Sequence, residues 1–345
     1  MDVLKGHIVR LFALMALLSD LGATRACGEN VKEVAVYVTS WTDDIPDASV
    51  LTCINYAFAH VNDTFDGLTV DNPGRLYSIL DLKRRNPRLK VVLSVGGWGS
   101  GNFSEMAADA RKRRLFAWNC RRLVWDMGLD GIDIDWEYPT QDGAGISASP
   151  DDTENFTKLV KDLRTILGPK RILSVATVSS AQYINFRDVL KYLDYVNVMT
   201  YDMGIPPFHN SPLYHSDKVQ NISVADAVEV HLNAGVPKDK IVLGVPFYGH
   251  GIEGFPEGVK NTDAHLVGNY FYNWDDEAKV PYLTDREGKF AYSYDNARSL
   301  WYKASYAKEQ GLKGVMCWSN DGDDEVGTLL NAVIAGLSGV SIDEE

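Results

Sequence analysis

Three acidic residues alternate with apolar ones in the stretch DGIDIDWEYP, which runs from residue 130 to residue 139. They are Asp133, Asp135 and Glu137, and alternate residues of a strand lie on one face. Neighbouring carboxylates on that face repel one another, and partial burial disfavours their ionisation, so at least one pKa must rise. Glu137, the outermost, is the candidate for a general acid that is protonated at neutral pH.

A cluster of carboxylates has two other common uses, and the neighbouring residues argue against both. Acidic side chains bind Mg²⁺ or Mn²⁺, but no adjacent asparagine, histidine or phosphate-binding element supports a metal here. A solvated acidic strand would not place two isoleucines and a tryptophan between its acids. The stretch therefore favours acid catalysis, and we expect no metal and no cofactor.

Eight short β-branched runs alternate with amphipathic stretches and would supply the elements that position these acids. The alternation predicts a parallel sheet, and eight units over ~250 residues or more predict a closed (β/α)8 TIM barrel, with an open doubly wound sheet as the alternative. Barrel enzymes keep their active sites at the carboxyl ends of the strands. The predicted strands are 33–38, 53–59, 90–97, 131–138, 171–178, 195–202, 240–249 and 314–319, and the predicted helices include 77–86, 114–128, 155–168, 224–235 and 297–311.

One connection is too long for an ordinary loop between a strand and a helix. It extends from about residue 250 to residue 296 and contains many aromatic and β-branched residues. This composition predicts a small β-rich insertion after the seventh strand. No linker or second module is evident, so residues 27–345 are predicted to form one catalytic barrel domain.

The first 26 residues have the features of a secretory signal peptide. A basic start precedes the apolar run 11–18, and small residues follow at 23–26. The run is too short to span a bilayer, which takes ~20 residues, so we expect no membrane span and a secreted, extracellular protein. Cleavage after residue 26 would expose Cys27, and a lipid anchor there is the alternative location, at the cell surface.

The overall charge and composition limit the partners of the chain. A net charge of −13 indicates that no basic face is available to release counterions from a phosphate backbone. We therefore expect no nucleic-acid partner and a neutral substrate. Aromatic residues make up 11% of the chain, with 17 Tyr and 8 Trp, which suits a surface that stacks on sugar rings. We expect a monomer.

The stretch DGIDIDWEYP matches the DxxDxDxE signature of glycoside hydrolase family 18 and resembles its chitinase branch. Four further segments resemble the same family in the right order: LSVGGW at 93–98, VNVMTYD at 196–202, GVPFYG at 244–249 and KGVMCW at 313–318. Together they extend over most of the chain from residue 33 to residue 335. The combination is specific, whereas the SxGG segment alone would be weak.

The resemblance implies a retaining hydrolase of β-1,4 bonds next to N-acetylglucosamine, in which the substrate's own acetamido group is the nucleophile. Glu137 would protonate the glycosidic oxygen, and Asp135 would hold the acetamido N–H and stabilise the oxazolinium ion. Asp133 would share a proton with Asp135. Tyr201 would hydrogen-bond the acetamido carbonyl oxygen, and Trp318 would form the floor beneath the distorted sugar.

The resemblance also implies a set of substrate contacts around these residues. Tyr37 and Ser94 would hydrogen-bond Asp133 from below, and Trp98 would stack on the next sugar. His250 stands where many relatives have an arginine, so it either leaves a substrate hydrogen bond missing or is an ordinary surface residue. The other implied contacts are Asp202, Met199, Tyr138, Tyr248 and Gly97.

Three functions are compatible with this sequence. A secreted chitinase that binds chitin or N-acetylglucosamine oligosaccharides is favoured. An endo-β-N-acetylglucosaminidase that acts on glycoprotein N-glycans is the alternative within the enzymes. A chitin-binding lectin of the same fold is the non-catalytic alternative, but such proteins usually lose the acid, and here Glu137 is present.

Overall fold

Thirteen strands lie between residues 32 and 342, the part of the chain that this computed structural model describes. They are β1 (Glu33–Thr39), β2 (Cys53–Val61), β3 (Leu68–Val70), β4 (Lys90–Gly96), β5 (Gly131–Asp135), β6 (Ile172–Val178), β7 (Tyr195–Met199), β8 (Ile241–Pro246), β9 (His250–Gly251), β10 (Phe271–Asp275), β11 (Val280–Thr284), β12 (Phe290–Ser293) and β13 (Gly314–Trp318). Eight of them, β1, β2, β4 to β8 and β13, are parallel and close into a barrel because β1 pairs with both β2 and β13. The predicted (β/α)8 barrel is confirmed.

The segment between β8 and β13 forms a small antiparallel sheet in the order β10-β11-β12-β9. The β-rich insertion predicted after the seventh strand is therefore confirmed. The insertion has an apolar core of its own, in which the rings of Phe255 and Tyr292 stack with centroids 4.2 Å apart. The remaining strand, β3, pairs antiparallel with the end of β2.

The described helices surround the barrel near the predicted positions, but several begin earlier than predicted, at Pro73, Ala110 and Asp152. Helix α1 begins at Pro73 and not near residue 77, because the side chain of Asn72 accepts a hydrogen bond from the backbone N of Arg75 at 3.2 Å. Such a cap, with proline in the first turn, fixes a helix start. The helices are α1 (Pro73–Asp81), α2 (Phe103–Ala108), α3 (Ala110–Met127), α4 (Asp152–Leu167), α5 (Phe186–Val189), α6 (Val224–Asn233), α7 (Ala297–Glu309) and α8 (Thr328–Ser338).

The next feature is the possible membrane attachment of the chain, by a spanning helix or by a lipid anchor. Between residues 32 and 342, no helix is both long enough and apolar enough to cross a bilayer. The predicted signal peptide at 1–26 and the candidate anchor at Cys27 lie outside the described residues. Secretion and lipid anchoring therefore stay predictions.

Candidate active site

Strand β5 separates its side chains as the alternating sequence predicts. Asp133 and Asp135 point into the barrel and are buried, with 0% and 3% of their surface exposed. On the other side, Trp136 stacks on Phe103 of α2 with ring centroids 5.3 Å apart. The strand ends at Asp135 and not at residue 138 as predicted, so Glu137 belongs to the loop that follows it.

Asp133 is the centre of a buried hydrogen-bond network beneath the site. Its Oδ2 accepts hydrogen bonds from Tyr37 Oη at 2.9 Å and Ser94 Oγ at 2.8 Å. Its Oδ1 accepts them from Ser174 Oγ at 2.7 Å and Asn197 Nδ2 at 3.1 Å. Burial raises the pKa of Asp133, and these donors partly offset the rise. Tyr37 and Ser94 therefore lie where the resemblance places them.

The two acids above Asp133 are both biased toward the protonated form. Burial raises the pKa of Asp135 well above its ordinary value, and the charges of Glu137 and Asp133 raise it further. Burial also raises the pKa of Glu137 to about 7, helped by the charge of Asp202 and partly offset by a hydrogen bond with Tyr138. Because the two carboxyls interact, their pKa values describe the titration of the pair and not of either residue alone. At neutral pH the site can therefore hold a proton for donation.

These acids open into a cavity of about 620 Å³ at the carboxyl ends of the strands. Most of the side chains predicted for the site meet there, although they come from five different strands or from the loops that follow those strands. Trp98 is 67% exposed and forms a T-shaped contact with Tyr138 at 6.4 Å between centroids. The predicted residues that line the cavity are Tyr37, Trp98, Asp135, Glu137, Tyr138, Met199, Tyr201, Asp202 and Trp318.

Comparison with known families identifies this arrangement. The profile of the glycosyl hydrolases family 18 matches residues 33–323, which is most of the chain. The chain belongs to glycosyl hydrolase family 18. It is a glycoside hydrolase of the chitinase type, and the resemblance read from the sequence motifs is confirmed.

Named relatives agree with this assignment. Chitinase A1 of Niallia circulans is 35% identical over 349 residues, covering 86% of this chain and 50% of that protein. Chitinase B of Serratia marcescens is 29% identical, covering 83% of this chain and 76% of that protein. A solved family 18 N-acetylglucosaminidase from Paenibacillus barengoltzii is 35% identical with a TM-score of 0.81, covering 89% of this chain and 100% of that one. A solved Group IV chitinase from Ostrinia furnacalis is 28% identical with a TM-score of 0.81, covering 90% of this chain and 100% of that one. The chain spans about half the length of the Niallia circulans enzyme.

The edge of the family 18 site contains a hydrogen-bonded group centred on Asp202. Its Oδ1 accepts a hydrogen bond from Tyr248 Oη at 2.6 Å and lies 2.7 Å from His250 Nε2. His250 is therefore not an isolated surface residue, and the missing substrate hydrogen bond at this position stays a prediction. It helps to hold a carboxylate whose charge raises the pKa of Glu137.

Three predicted contact residues do not line the cavity of this hydrolase. Ser94 lies below it, bonded to Asp133. Tyr248 lies beyond the end of β8 and contacts the site through Asp202 and through the ring of Tyr201, at 6.1 Å between ring centroids. Gly97 has a φ of +91°, and an added Cβ would come within 2.6 Å of the Phe58 ring. Gly97 is thus required for packing under Phe58, and its predicted contact with the substrate stays a prediction.

The motifs missed several residues that do line the hydrolase cavity. Trp41 is 63% exposed and follows β1 by two residues. Phe58 stacks on Trp318 with ring centroids 5.7 Å apart. Both stand near the carboxyl end of a barrel strand, and this position could have marked them. The other missed residues are Ala176, Val178 and Ser179.

Metal ligation was the main alternative use of the acids. Within residues 32–342, no three or more histidine, cysteine or acidic side chains are placed to hold a metal ion. The oxygens of Asp133 instead accept hydrogen bonds from hydroxyl and amide groups, as described above.

The pKa of Glu137 predicts the alkaline side of the pH profile. The value of kcat/KM on N-acetylglucosamine oligosaccharides is expected to fall as the pH rises through about 7, because Glu137 then ionises. The variant Asp202→Asn removes a charge that raises this pKa, so the fall is expected at lower pH. Steady-state rates of both proteins across the pH range measure the two midpoints. An unchanged midpoint in the variant would contradict the electrostatic account.

Proposed function

We propose that this family 18 hydrolase cleaves the β-1,4 bonds between N-acetylglucosamine units in chitin and its oligosaccharides. The proposal depends on one observation: Asp135 and Glu137 line the same aromatic-walled cavity, and the pKa of each is raised. A neutral Asp135 is a poor nucleophile. The pair therefore favours a reaction in which the substrate supplies the nucleophile and Glu137 supplies the proton.

The first step transfers the Glu137 proton to the glycosidic oxygen while the bond from this oxygen to the anomeric carbon breaks. The carbonyl oxygen of the acetamido group on the same sugar attacks the anomeric carbon and forms a cyclic oxazolinium ion. Water then attacks that carbon and transfers a proton to the Glu137 carboxylate, while the bond from the carbon to the acetamido oxygen breaks and the acetamido group is restored. Two inversions at one carbon give net retention, as in the substrate-assisted exceptions to the two-carboxylate scheme.

Two side chains would orient the acetamido group for this attack. Asp135 Oδ1 is buried and has no hydrogen-bond partner among the described residues, so it can accept a hydrogen bond from the acetamido N–H. The hydroxyl of Tyr201 contacts only the weak acceptor Met316 Sδ, at 4.0 Å, within the described chain. It can therefore donate to the acetamido oxygen. Holding both ends of the group aims its oxygen at the anomeric carbon, a proximity effect.

The aromatic floor supports the same substrate class. Trp318 is held by Tyr37 and by Phe58, with ring centroids at 5.3 Å and 5.7 Å. An indole fixed in this way offers a rigid face to the apolar side of a pyranose ring. The exposed indoles of Trp41 and Trp98 extend the aromatic surface beyond the acids, which suits an oligosaccharide better than a single sugar.

A second candidate is removal of single N-acetylglucosamine units from chain ends. It is favoured by the solved N-acetylglucosaminidase that shares 35% identity and a TM-score of 0.81 with this chain. The insertion between β8 and β13 contains a single four-stranded sheet, and we interpret the groove beside it as shallow. A shallow groove favours internal cuts or short oligosaccharides, so chitinase action remains the main proposal.

Product analysis distinguishes these functions. The purified protein would be incubated with N-acetylglucosamine oligosaccharides of increasing length, with long chitin and with a high-mannose glycoprotein. Mixed short oligosaccharides from the earliest times are the expected products. Monomer alone would favour the exo-acting alternative, one dominant dimer would contradict internal cutting, and release of N-glycans would favour the endo-β-N-acetylglucosaminidase. Binding of chitin without turnover would favour the lectin and overturn the proposal.

We also propose that the enzyme acts outside the cell, on the basis of the sequence of residues 1–26. Lipid attachment at Cys27 is the alternative location. Mass spectrometry of the processed N-terminus after expression in the native host would distinguish a free Cys27 from a lipid-modified one. A retained first segment would contradict both.

A further inference from the structure

The outer face of α3 exposes apolar and basic side chains together. The helix buries Phe116, Ala117 and Val124 against the barrel. On its solvent side, Leu115 is 38%, Trp118 is 56% and Trp125 is 70% exposed. The two tryptophans are seven residues apart, which places them on the same side of the helix about 10 Å apart along its axis. Large exposed apolar groups that share one face indicate a binding surface.

Basic residues lie among these apolar ones. Helix α3 contains six arginine and lysine residues and one acidic residue, in a chain whose net charge is −13. Arg114, Arg121 and Arg122 are exposed on the same side as the tryptophans. These three arginines with Leu115, Trp118 and Trp125 are called the basic–aromatic face below. The expectation from net charge that no basic face is available is therefore wrong for this helix.

Two of the three arginines are held in place by contacts that involve no carboxylate. The guanidinium of Arg121 lies 5.5 Å from the ring centroid of Trp118, and it donates a hydrogen bond to the carbonyl oxygen of Ile166 at 2.6 Å. Arg122 donates to Asn119 Oδ1 at 3.1 Å. Among residues 32–342, none of the three arginines of the face forms an ion pair with a carboxylate. Their positive charge is thus available to an external anion.

The shape of the face indicates a flat partner. A hollow of about 440 Å³ lies between its side chains, and every residue that lines it belongs to α3. A groove that holds a polymer strand needs walls from at least two elements. Here a single helix supplies the whole surface, which suits a partner that is itself extended and planar.

We propose that the basic–aromatic face of α3 binds the surface of a bilayer that contains anionic phospholipids. Guanidinium groups bind phosphate through paired hydrogen bonds, and tryptophan favours the headgroup level of a bilayer. A neutral polysaccharide surface has no anionic group to pair with the arginines, and Arg121 covers one ring face of Trp118 that a sugar would need. A single-stranded nucleic acid would need a groove that follows its backbone.

The location of the face is compatible with catalysis at the membrane surface. Helix α3 lies on the outside of the barrel, whereas the cavity opens at the carboxyl ends of the strands. Contact along α3 would leave the barrel mouth open to solvent. The binding is independent of the proposed reaction, because none of the six residues lines the cavity.

Vesicle sedimentation tests the proposal with the full chain. Binding is expected to vesicles of phosphatidylcholine mixed with phosphatidylglycerol but not to phosphatidylcholine alone, and it should weaken at high salt. The triple variant Arg114→Gln/Arg121→Gln/Arg122→Gln is expected to lose about 100-fold in partitioning, because each basic residue near an anionic surface contributes a factor of about five. Trp118→Ala/Trp125→Ala should also bind more weakly.

A matched control separates the face from total charge. The variant Arg187→Gln/Lys191→Gln/Lys238→Gln removes three exposed cations from other elements and is expected to bind vesicles like the wild type. All variants should turn over soluble oligosaccharides normally, which shows that they fold. Equal binding to neutral and anionic vesicles, or equal behaviour of the two triple variants, would overturn the proposal. So would preferential binding to insoluble chitin or to a single-stranded oligonucleotide.

Discussion

The variant Glu137→Gln is expected to lower kcat on N-acetylglucosamine oligosaccharides by roughly 10²–10⁴-fold, the usual contribution of a general acid. Burial raises the pKa of Glu137 to about 7, so the native carboxyl holds a proton that an amide cannot donate. Because glutamine has nearly the same shape, sugar binding should change little. Steady-state kinetics and equilibrium binding of one oligosaccharide measure the two effects separately.

The choice of leaving group makes this test specific for proton donation. An aryl glycoside releases a phenolate that needs little protonation, so Glu137→Gln should lose much less activity on it than on the natural oligosaccharide. Glu154→Gln is the matched control, since Glu154 lies exposed on α4 and pairs with Lys158 at 2.8 Å. Equal losses on both substrates would exclude Glu137 as the acid, and so would near-normal turnover of chitin oligosaccharides.

The barrel could be predicted from the sequence because each strand is a short β-branched run bounded by turn residues. All eight predicted strands are present, and the alternation in β5 placed Asp133 and Asp135 inside the barrel. The start of α1 was misplaced because the prediction followed its apolar periodicity, whereas Asn72 and Pro73 determine where the helix begins. Local capping chemistry was the better signal in that segment.

The site was less predictable where the chain leaves a strand. The alternation of DGIDIDWEYP continues to residue 138, but the backbone leaves β5 after Asp135. Glu137 still lines the cavity, so its placement depends on the loop and not on strand periodicity. Tyr248 follows the end of β8 in the same way, and its hydroxyl turns to Asp202. A motif gives the position of such a residue in the chain but not the direction of its side chain.

Contacts between distant segments could not be predicted from the sequence. His250 and Asp202 are 48 residues apart and meet only because β7 and β8 are neighbours in the barrel. Trp41 lies after β1 in a segment without periodicity, and it joins the cavity through the same closure. His250 alters the electrostatics around Glu137 through Asp202. Trp41 adds aromatic surface to the cavity. Neither effect could be derived from one segment alone.

The buried position of Asp135 predicts a large loss of activity when this residue is substituted. Its Oδ1 has no hydrogen-bond partner among the described residues, although leaving a buried polar group unpaired costs free energy. Such a cost is expected where a substrate supplies the missing partner. Asp135 would then gain its hydrogen bond when the acetamido group binds. Transfer of its proton to Asp133, as the family resemblance implies, would leave a negative charge that stabilises the oxazolinium ion.

The variant Asp135→Asn is expected to lower kcat by about 10²–10³-fold, comparable to the loss of one preorganised group that stabilises developing charge. Asp142→Asn, the same change at an exposed position, should have no effect on kcat. Because Asp135 and Tyr201 would orient the same acetamido group, Asp135→Asn/Tyr201→Phe should lose less activity than the product of the two single losses. Kinetics of the four proteins on one oligosaccharide measure this coupling. Fully multiplicative losses would mean that the two side chains act on different groups, and the substrate-assisted mechanism would then lose its orienting pair.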